Sequence, residues 1–531
     1  LSTKKPEKYA GKTGSHRNTR AALTLLRPLG ADEFQHLHAS WMLAHGYLPF
    51  KDFWENHAPT LYFMLSPLFQ TDGNEIRGLF VARVLLSTLG LGILVQTYFL
   101  ARRNHDVKTS LVAVLILSYT VIYAQRTIEV RSDQLLTVCW LAGLLFYLIS
   151  GFLLGMGFLF SPKVLMPFAA LLSTALVCWF LQRRSMSILD LVRKHLLLTI
   201  GFLIPIAVFF LFLHRQGILQ LFYFRVLLED LSYPDVRRST YLFRIKYLST
   251  LLLTLAGTVL HVKRLWRDPE NRVEKIAVLV PALFLLAAFL FFMPGAYPQS
   301  MLVFVPMLAI YGAEALMSAY ERLAAPSVSR KDALLFALAL IAIVVPMGDV
   351  LLGRPFSSDN QDQLNRFRYV LNFTPASERL FDAEASYVFR PQAYYYGSLV
   401  AGNRKRFPQE ELRHQIVRSL VSSRCRIVFQ DEWIPLLPAG LQAFLKDNYL
   451  PSFEPGILIA GKKVPLQDAA NAGVSFEILI PLNYSIRIVG NVQSVALDGA
   501  AYTGRCFMSK GLHTLSWHGD GSMAIIKAVR P

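Results

Sequence analysis

Charge is scarce in this chain. Asp, Glu, Lys and Arg make up 17% of its 531 residues, against about a quarter in soluble domains, while 53% are hydrophobic. That deficit excludes an ordinary soluble globule and points to lipid. Cysteine is scarcer still, with four residues and no zinc-binding spacing among them. Cys139 and Cys178 lie inside apolar runs and read as small core residues, whereas Cys425 and Cys506 lie in the polar C-terminal part and can pair only if the fold brings them together. The formal charge of +18 raises the question of nucleic acid. Much of the basic excess, however, falls in short stretches between apolar runs, the positive-inside pattern of membrane proteins rather than a binding stripe. No nucleic-acid partner is expected, and no internal repeat or low-complexity segment stands out.

What the chain has in quantity is apolar runs long enough to cross a hydrocarbon core of about 30 Å as helices. Spans are expected near residues 76–100, 109–124, 134–149, 151–161, 164–182, 196–213, 247–262, 276–293, 299–319 and 333–352. The connections ARRNHDVK (101–108), QRRSMSILDLVRKH (182–195), HVKRLWRDPENRVEK (261–275) and YERLAAPSVSRK (320–331) are basic and read as cytoplasmic. The alternating segments, QRTIEVRSDQ (125–134), SPK (161–163), 214–246 and PGAYPQ (294–299), read as external. Parity then places Asp32 to Pro59 outside and the basic tail of residues 1–20 inside, which requires a span between Arg20 and Asp32. Only AALTLLRPLG stands there, so either an opening helix is incomplete or the N-terminus is atypical. The run LFYLISGFLLGMGFLF (145–160) is odd in the same way, because its return turn should carry polar residues and has none.

From about Arg354 the character changes. Residues 354–466 mix helical stretches (QEELRHQIVRSLVSS) with short β-like runs (CRIVFQ, GILIAG) and read as a small external α/β domain. Residues 467–531 carry short runs broken by glycines, among them YSIRIVG and HTLSWHGDG, the pattern of a β-sandwich-like domain. Asp498-Gly499 and Gly511 fall in turn positions, and Trp517 either stacks on sugar or fills the core. The expected fold is an α-helical polytopic membrane protein of about eleven transmembrane helices. It carries a C-terminal soluble α/β unit and a β-sandwich. The transmembrane module covers 21–353 and has a first external loop, 31–75.

That loop concentrates ionisable groups: ADEFQHLHASWMLAHGYLPFKDFWENHAPT, residues 31–60. Asp32 followed by Gln35 fits a helix N-cap with a capping-box partner. Asp32 and Glu33 stand about 100° apart on a helix, so they cannot do the same job. Asp32 shares a face with His36, while His36 and His38, two apart, make a poor metal pair. A Zn or Ca site from Asp32, His36 and Glu55 is left open by the spacing and not demanded by it. No cofactor is certain; a divalent metal stays open.

The pattern D-E, then G-Y-x-P-x-x-D-F, then E-N-H-A-P resembles the first external loop of the GT-C integral-membrane glycosyltransferases. These use polyprenyl-phosphate sugars and include the protein O-mannosyltransferases and the lipid A aminoarabinose transferases. Glu55, His57 and Pro59 match the acidic-His-Pro element of the mannosyltransferase branch, with Ala58 in place of its first proline, which brings the chain closer to the broad bacterial branch. Further matches are QRTIEVRSDQ, FLFSPKVLMPF around Lys163, and YPQSMLVFVPMLAIYGAEAL. The resemblance covers about 30–350. It implies inverting transfer with the aspartate of the acidic pair, Asp32, as catalytic base.

The residue chemistry agrees with that implication. A one-step inversion needs a base for the acceptor's proton, and a partly desolvated carboxylate at the lipid–water boundary suits the task. A departing lipid phosphate gains negative charge and calls for fixed cations. Lys51, Arg126, Arg131, Lys163 and Arg244 are the external candidates, although lysines and arginines near span ends also snorkel to headgroups. Glu33, Asp52, Glu55 and His57 join the candidate substrate site. Tyr297 and Gln299 stand to line the lipid or sugar path, Tyr297 equally as an interfacial anchor. The amphipathic 214–246 segment reads as an interfacial helix or lid. The expected activity moves one sugar from a polyprenyl-phosphate donor to a glycan, lipid or protein acceptor, at the external, periplasmic face of a bacterial inner membrane. The rival is a transporter or flippase for a lipid-linked glycan, which favours ionisable groups at mid-membrane and broken helices in paired halves. Here the charges cluster in the first external loop.

Overall fold

The structure, a computed structural model, describes residues 24–530 apart from 72, 74, 184–185, 230–244, 268–271, 293–296, 353–358, 400–406 and 467–472. The basic tail of residues 1–20 and Arg244 therefore lie outside the described residues, and of the stretch expected to hold a first span only residues 24–31 are described.

A short helix, α1 (Ala31–Ala44), opens the body and is followed by α2 (Thr60–Leu65). The bundle then runs through α3 (Glu75–Arg102), α4 (Val107–Ser118), α5 (Val121–Arg126), α6 (Ser132–Leu145), α7 (Ser150–Phe160), α8 (Leu165–Leu181) and α9 (Ile188–Arg215). After α10 (Leu219–Phe222) come α11 (Ile245–Arg267), α12 (Arg272–Ala287), α13 (Val305–Leu323) and α14 (Arg330–Leu352). Each expected span falls largely on helix among the described residues, several broken: 109–124 divides between α4 and α5, and 134–149 breaks at Phe146. Five are long and apolar enough to cross a membrane: Glu75–Arg102, Pro162–Leu181, Ile188–Arg215, Arg272–Phe291 and Arg330–Leu351. Others are shorter. The 12 residues of α4 rise only about 18 Å, less than a bilayer core. Large apolar side chains turn outward on α9 and α14, Val208 at 65% exposure and Leu334 at 59%, which only a lipid surround satisfies.

Glycine lets helices touch. A Cβ on Gly151 would meet the Leu198 carbonyl oxygen at 2.2 Å, and one on Gly155 the Phe202 oxygen at 2.4 Å, so α7 and α9 pack backbone to backbone through a small-xxx-small stripe. The apolar return turn between α6 and α7 is capped from a distance: Arg103 Nη1 donates to the Leu144 carbonyl at 2.8 Å and Arg103 Nη2 to that of Leu145. This satisfies the helix end without local polar residues.

The C-terminal region starts with α15 (Gln361–Phe373), α16 (Gln409–Ser422) and α17 (Ala439–Asn448) and ends in strands. Strands β1 (Ile427–Phe429), β2 (Tyr449–Pro451), β3 (Ile457–Pro465), β4 (Val474–Ile478), β5 (Leu482–Leu497), β6 (Ala500–Ala501), β7 (Cys506–Met508) and β8 (Gly511–Ala528) form one eight-stranded network. Strand β3 pairs with β1 and β2 through its first half and with β8 through its second. The boundary expected at 466/467 therefore falls just after a strand that both units share, and one apolar core runs through them. Asp498 and Gly499, both at positive φ, make the two-residue turn between β5 and β6. Trp517 is buried in the core, and Cys425 and Cys506 are free thiols.

Candidate active site

Helix α1 starts at Gly30, whose extended backbone (φ −90°, ψ 165°) turns the chain into the first turn, with Asp32 and Glu33 near the positive end of the helix dipole. The capping partner is Glu33, not Gln35 with Asp32: the Gly30 N–H donates to Glu33 Oε2 at 3.2 Å. Glu33 is buried and held bidentately by Arg83 of α3, at 2.9 Å to Oε1 and 2.8 Å to Oε2. The Val130 N–H also donates to Glu33, and Arg83 further donates to the carbonyls of Thr24, Arg27 and Pro28. Glu33 thus ties α1 to α3 and to the 127–131 segment, leaving Asp32 to face outward.

Asp32 is 38% exposed, and its Oδ2 pairs with Arg131 Nη2 at 2.5 Å. Arg131 is buried and stands as the N-cap of α6 in extended backbone (φ −148°, ψ 147°). It also contacts Glu129 at 3.2 Å and Asp133 at 3.4 Å, and Asp133 in turn takes Lys163 Nζ at 3.2 Å. Arg27 and Arg126 pair with Glu129 at 3.0 and 2.9 Å. Among the described residues, three carboxylates of this network (Asp32, Glu129, Asp133) thus meet four cations (Arg27, Arg126, Arg131, Lys163), an excess of one positive charge. Burial works to raise the pKa of Asp32. The Arg131 guanidinium, with the imidazoles of His36 and His57, more than reverses that and holds the carboxyl well below the usual range.

Lys163 stands where α7 gives way to α8, in a single 3-10 turn, Pro162–Val164, with the Ser161 hydroxyl accepting from its N–H. Beside it lies a small cavity of about 10 Å3, lined by Leu136, Met166, Leu285, Phe289 and Phe304 together with Asp133 and Lys163. Gln299 lies in the 3-10 segment Pro298–Val303, anchored where Trp140 Nε1 donates to the Val303 carbonyl at 3.0 Å, and the half-exposed Tyr297 precedes it.

The remaining loop residues are divided between site and scaffold. Buried Glu55 Oε1 accepts from Gln35, from the backbone of Asn56 and His57, and from His57 Nδ1 at 2.7 Å. The His57 ring stands edge-on to that of His36, 4.8 Å away. Asp52 makes a turn, accepting from Leu48 N at 2.7 Å, and Lys51 is exposed beside it. Among the described residues Asp32, His36 and Glu55 do not converge as a metal-ligand set, because Glu55 is engaged with His57 and Gln35. His38 is scaffold, bonded to the Val388 carbonyl and Gln392 of the C-terminal region. Ala58 packs with Phe50 against Phe209, Phe222 and Val226, so the described part of the 214–246 segment rests on the loop.

The C-terminal region completes the surroundings. Gln363 of α15 bonds both backbone groups of Leu29, at 2.7 and 3.0 Å, and Tyr395 OH donates to the Phe50 carbonyl. A cleft of about 450 Å3 opens between Gly30, Phe34 and Arg366 on one side and Glu384, Asp431 and Trp433 on the other. Glu384 is pushed up to about 7 by burial, with Asp431, Glu432 and Asp32 adding repulsion against the opposing Trp433 hydrogen bond.

Reasoning from sequence missed Arg27, Arg83, Glu129, Asp133 and Glu384. The clustering of Glu129, Arg131 and Asp133 within five residues carried a signal, although the structure gathers them at the entry to α6 rather than along a strand. Arg83 and Glu384 carried none, lying inside an apolar helix and in a distant domain.

No protein-family model matches the chain, and no curated protein does. Among solved structures, ArnT from Cupriavidus metallidurans in the apo state aligns with a TM-score of 0.54 at 14% identity, over 83% of this chain and 95% of that one. The same protein bound to undecaprenyl phosphate aligns at 0.53, 15% identity and the same coverage. An oligosaccharyltransferase of Archaeoglobus fulgidus, tethered with an acceptor peptide, aligns more distantly, at 0.48 and 12% identity over 84% of this chain and 74% of that one. At such identities the likeness is one of fold. This chain is mostly helical, with five helices long and apolar enough to cross a membrane and a C-terminal β-sheet region, and it shares the fold of ArnT.

Proposed function

We propose that the chain is an inverting glycosyltransferase. It moves a sugar from a polyprenyl-phosphate donor to a glycan, lipid or protein acceptor at the periplasmic face of a bacterial inner membrane. The observation that carries this reading is the linked chain Asp32–Arg131–Asp133–Lys163, whose last two members border a small apolar cavity. It supplies a carboxylate and a surplus cation together beside apolar side chains, which suits an acceptor proton and a lipid phosphate. The undecaprenyl phosphate in the ArnT structure agrees with such a donor.

In the proposed step an acceptor oxygen or nitrogen attacks the anomeric carbon opposite the phosphate. The new bond to carbon forms as the carbon–phosphate oxygen bond breaks, the acceptor's proton passes to Asp32, and the lipid phosphate leaves with both bonding electrons. Lys163 and Arg131 offset its added charge. Asp32, so firmly ionised, is a weak base. It takes the proton late, once bond formation has made the acceptor acidic. The 450 Å3 cleft beside Asp32, with Glu384 and Trp433 in its wall, is the acceptor's side. A transporter reading calls for a mid-membrane ionisable pathway, whereas the charges of this network gather around the first loop.

Incubating the purified protein and a membrane extract with a panel of polyprenyl-phosphate sugars tests the proposal, read as release of lipid phosphate. Asp32→Asn is expected to abolish turnover and keep donor binding. Glu33→Gln, by contrast, is expected to lower thermal stability while the folded fraction still turns over. Near-normal turnover in Asp32→Asn removes Asp32 as the base.

A further inference from the structure

At the other end of α3, about 30 Å along the helix from Arg83, lies a second ionisable cluster that the proposed transfer does not use. His105 sits in the turn between α3 and α4, His261 on α11 and Glu314 on α13. Close helix packing brings the last two together: a Cβ on Gly257, one turn before His261, would meet the Tyr311 carbonyl oxygen at 1.7 Å. Helices α11 and α13 touch through their backbones there, and His261 Nδ1 comes within 2.9 Å of Glu314 Oε2.

The other nitrogen of the ring decides the chemistry. His261 Nε2 lies 3.3 Å from the Lys275 carbonyl, which can only accept, so Nε2 carries a hydrogen. In the neutral ring Nδ1 then aims a lone pair at a carboxylate oxygen, an arrangement that needs a proton or a metal cation between the two. A carbonyl fixing the tautomer of a ligating histidine is the usual outer support of a metal site. His105 Nε2 lies 3.8 Å from the same carboxylate oxygen, its side chain 4% exposed and that nitrogen buried without a hydrogen-bond partner.

We propose that His105, His261 and Glu314 bind a divalent transition metal of the zinc class, clamping the α3–α4 turn to α11 and α13. The three ligand atoms lie within 4.8 Å of one another. Around a tetrahedral zinc with bonds of about 2.0–2.1 Å, ligand atoms stand about 3.4 Å apart, and the observed separations of 2.9 and 3.8 Å bracket that value. A water takes the fourth position. Arg264 Nη1, 3.3 Å from Glu314 Oε1 and half-exposed, competes for the carboxylate and swings into solvent when the metal binds.

The test uses the untagged full chain in detergent, stripped with chelator and titrated with Zn(II), then with Co(II) for its visible absorption. Wild type is expected to retain one equivalent, to show the intense absorption of four-coordinate cobalt, and to gain several degrees in thermal midpoint with zinc. His105→Ala, a turn residue whose loss leaves the helices intact, is expected to weaken binding by about 100-fold or more. Arg264→Met removes the competing cation and is expected to tighten it. Absence of stoichiometric metal in wild type overturns the site, as does equal binding by His105→Ala. A thermal midpoint indifferent to zinc overturns the clamp.

Discussion

Single side chains in the site differ in what their charge accomplishes, and two of them separate cleanly by experiment. Lys163 is 37% exposed and bonded to Asp133, so its ammonium is open to an approaching phosphate. Lys163→Met keeps the stem and deletes the cation. If it offsets phosphate charge in the transition state, it is worth about 2–4 kcal/mol, a fall of roughly 30- to 1000-fold in rate. A lysine that only snorkels leaves the rate within about twofold. Steady-state kinetics of a folded variant decides, and full activity passes the phosphate role to Arg131. Glu384 carries a different signature. Its pKa, raised to about 7 in the folded protein, means that folding favours its protonated form. The stability it contributes is complete below the ordinary glutamate range and is lost as pH rises through about 7. Glu384→Gln, which stays neutral, is therefore expected to gain thermal midpoint over wild type from pH 5 to pH 8. An equal difference at both pH values contradicts the shift. Asp32 behaves oppositely. Its pKa lies below the usual carboxylate range, so the rate is expected to hold through mild acid and to fall only where an ordinary aspartate is already half protonated or beyond. A pH–rate profile checks this.

Among the elements, α7 and α9 show how lipid changes the rules of packing. Water exclusion provides no drive between helices already in hydrocarbon, so association rests on close contact, and Gly155 supplies it. Gly155→Ala puts a methyl carbon 2.4 Å from the Phe202 carbonyl and 3.0 Å from the Pro205 ring, so one helix must shift. Such overpacking costs about 1–3 kcal/mol, more than the roughly 1 kcal/mol that alanine returns in helix propensity. A Cβ on Gly92 of α3 would meet nothing within 4 Å, and Gly92→Ala is the control, neutral or stabilising. Thermal midpoints in one detergent compare the two, and an unchanged Gly155→Ala midpoint removes the packing argument. The α6–α7 turn obeys a related rule. Its apolar sequence suggests an unfinished hairpin, yet Arg103 from the far end of α3 satisfies its carbonyls. A capping partner about 40 residues away leaves no local signature.

For the whole molecule the test is sidedness. The C-terminal region grips the first loop through His38–Gln392, Tyr395–Phe50 and Gln363–Leu29, so both must lie on one side of the membrane. From charge parity that side is expected outside and the α3–α4 turn inside. Cysteines at the exposed positions Lys51 and Phe453 are expected to react with an impermeant maleimide in intact spheroplasts, measured against the parent protein. A cysteine at exposed Lys108 is expected to react only after permeabilisation. Labelling of Lys108→Cys in intact spheroplasts inverts the topology and moves the proposed active site to the cytoplasm.

The sequence by itself determined the mostly apolar, helical body, the polar C-terminal part with its strands, and the ionisable loop with Asp32 at its head. These follow from local properties: run length against bilayer thickness, the sign of short connections, and residue spacing within one helix. Tertiary structure alone decided that Glu33 is bound by Arg83 and that Asp32 is paired with Arg131. It also decided that Asp133 pairs with Lys163 beside one small cavity, and that Glu384 approaches from a region some 350 residues downstream. Charge partners are set by which elements pack together. Coulomb attraction acts through space with no memory of chain separation, and burial strengthens it only after the fold has excluded water.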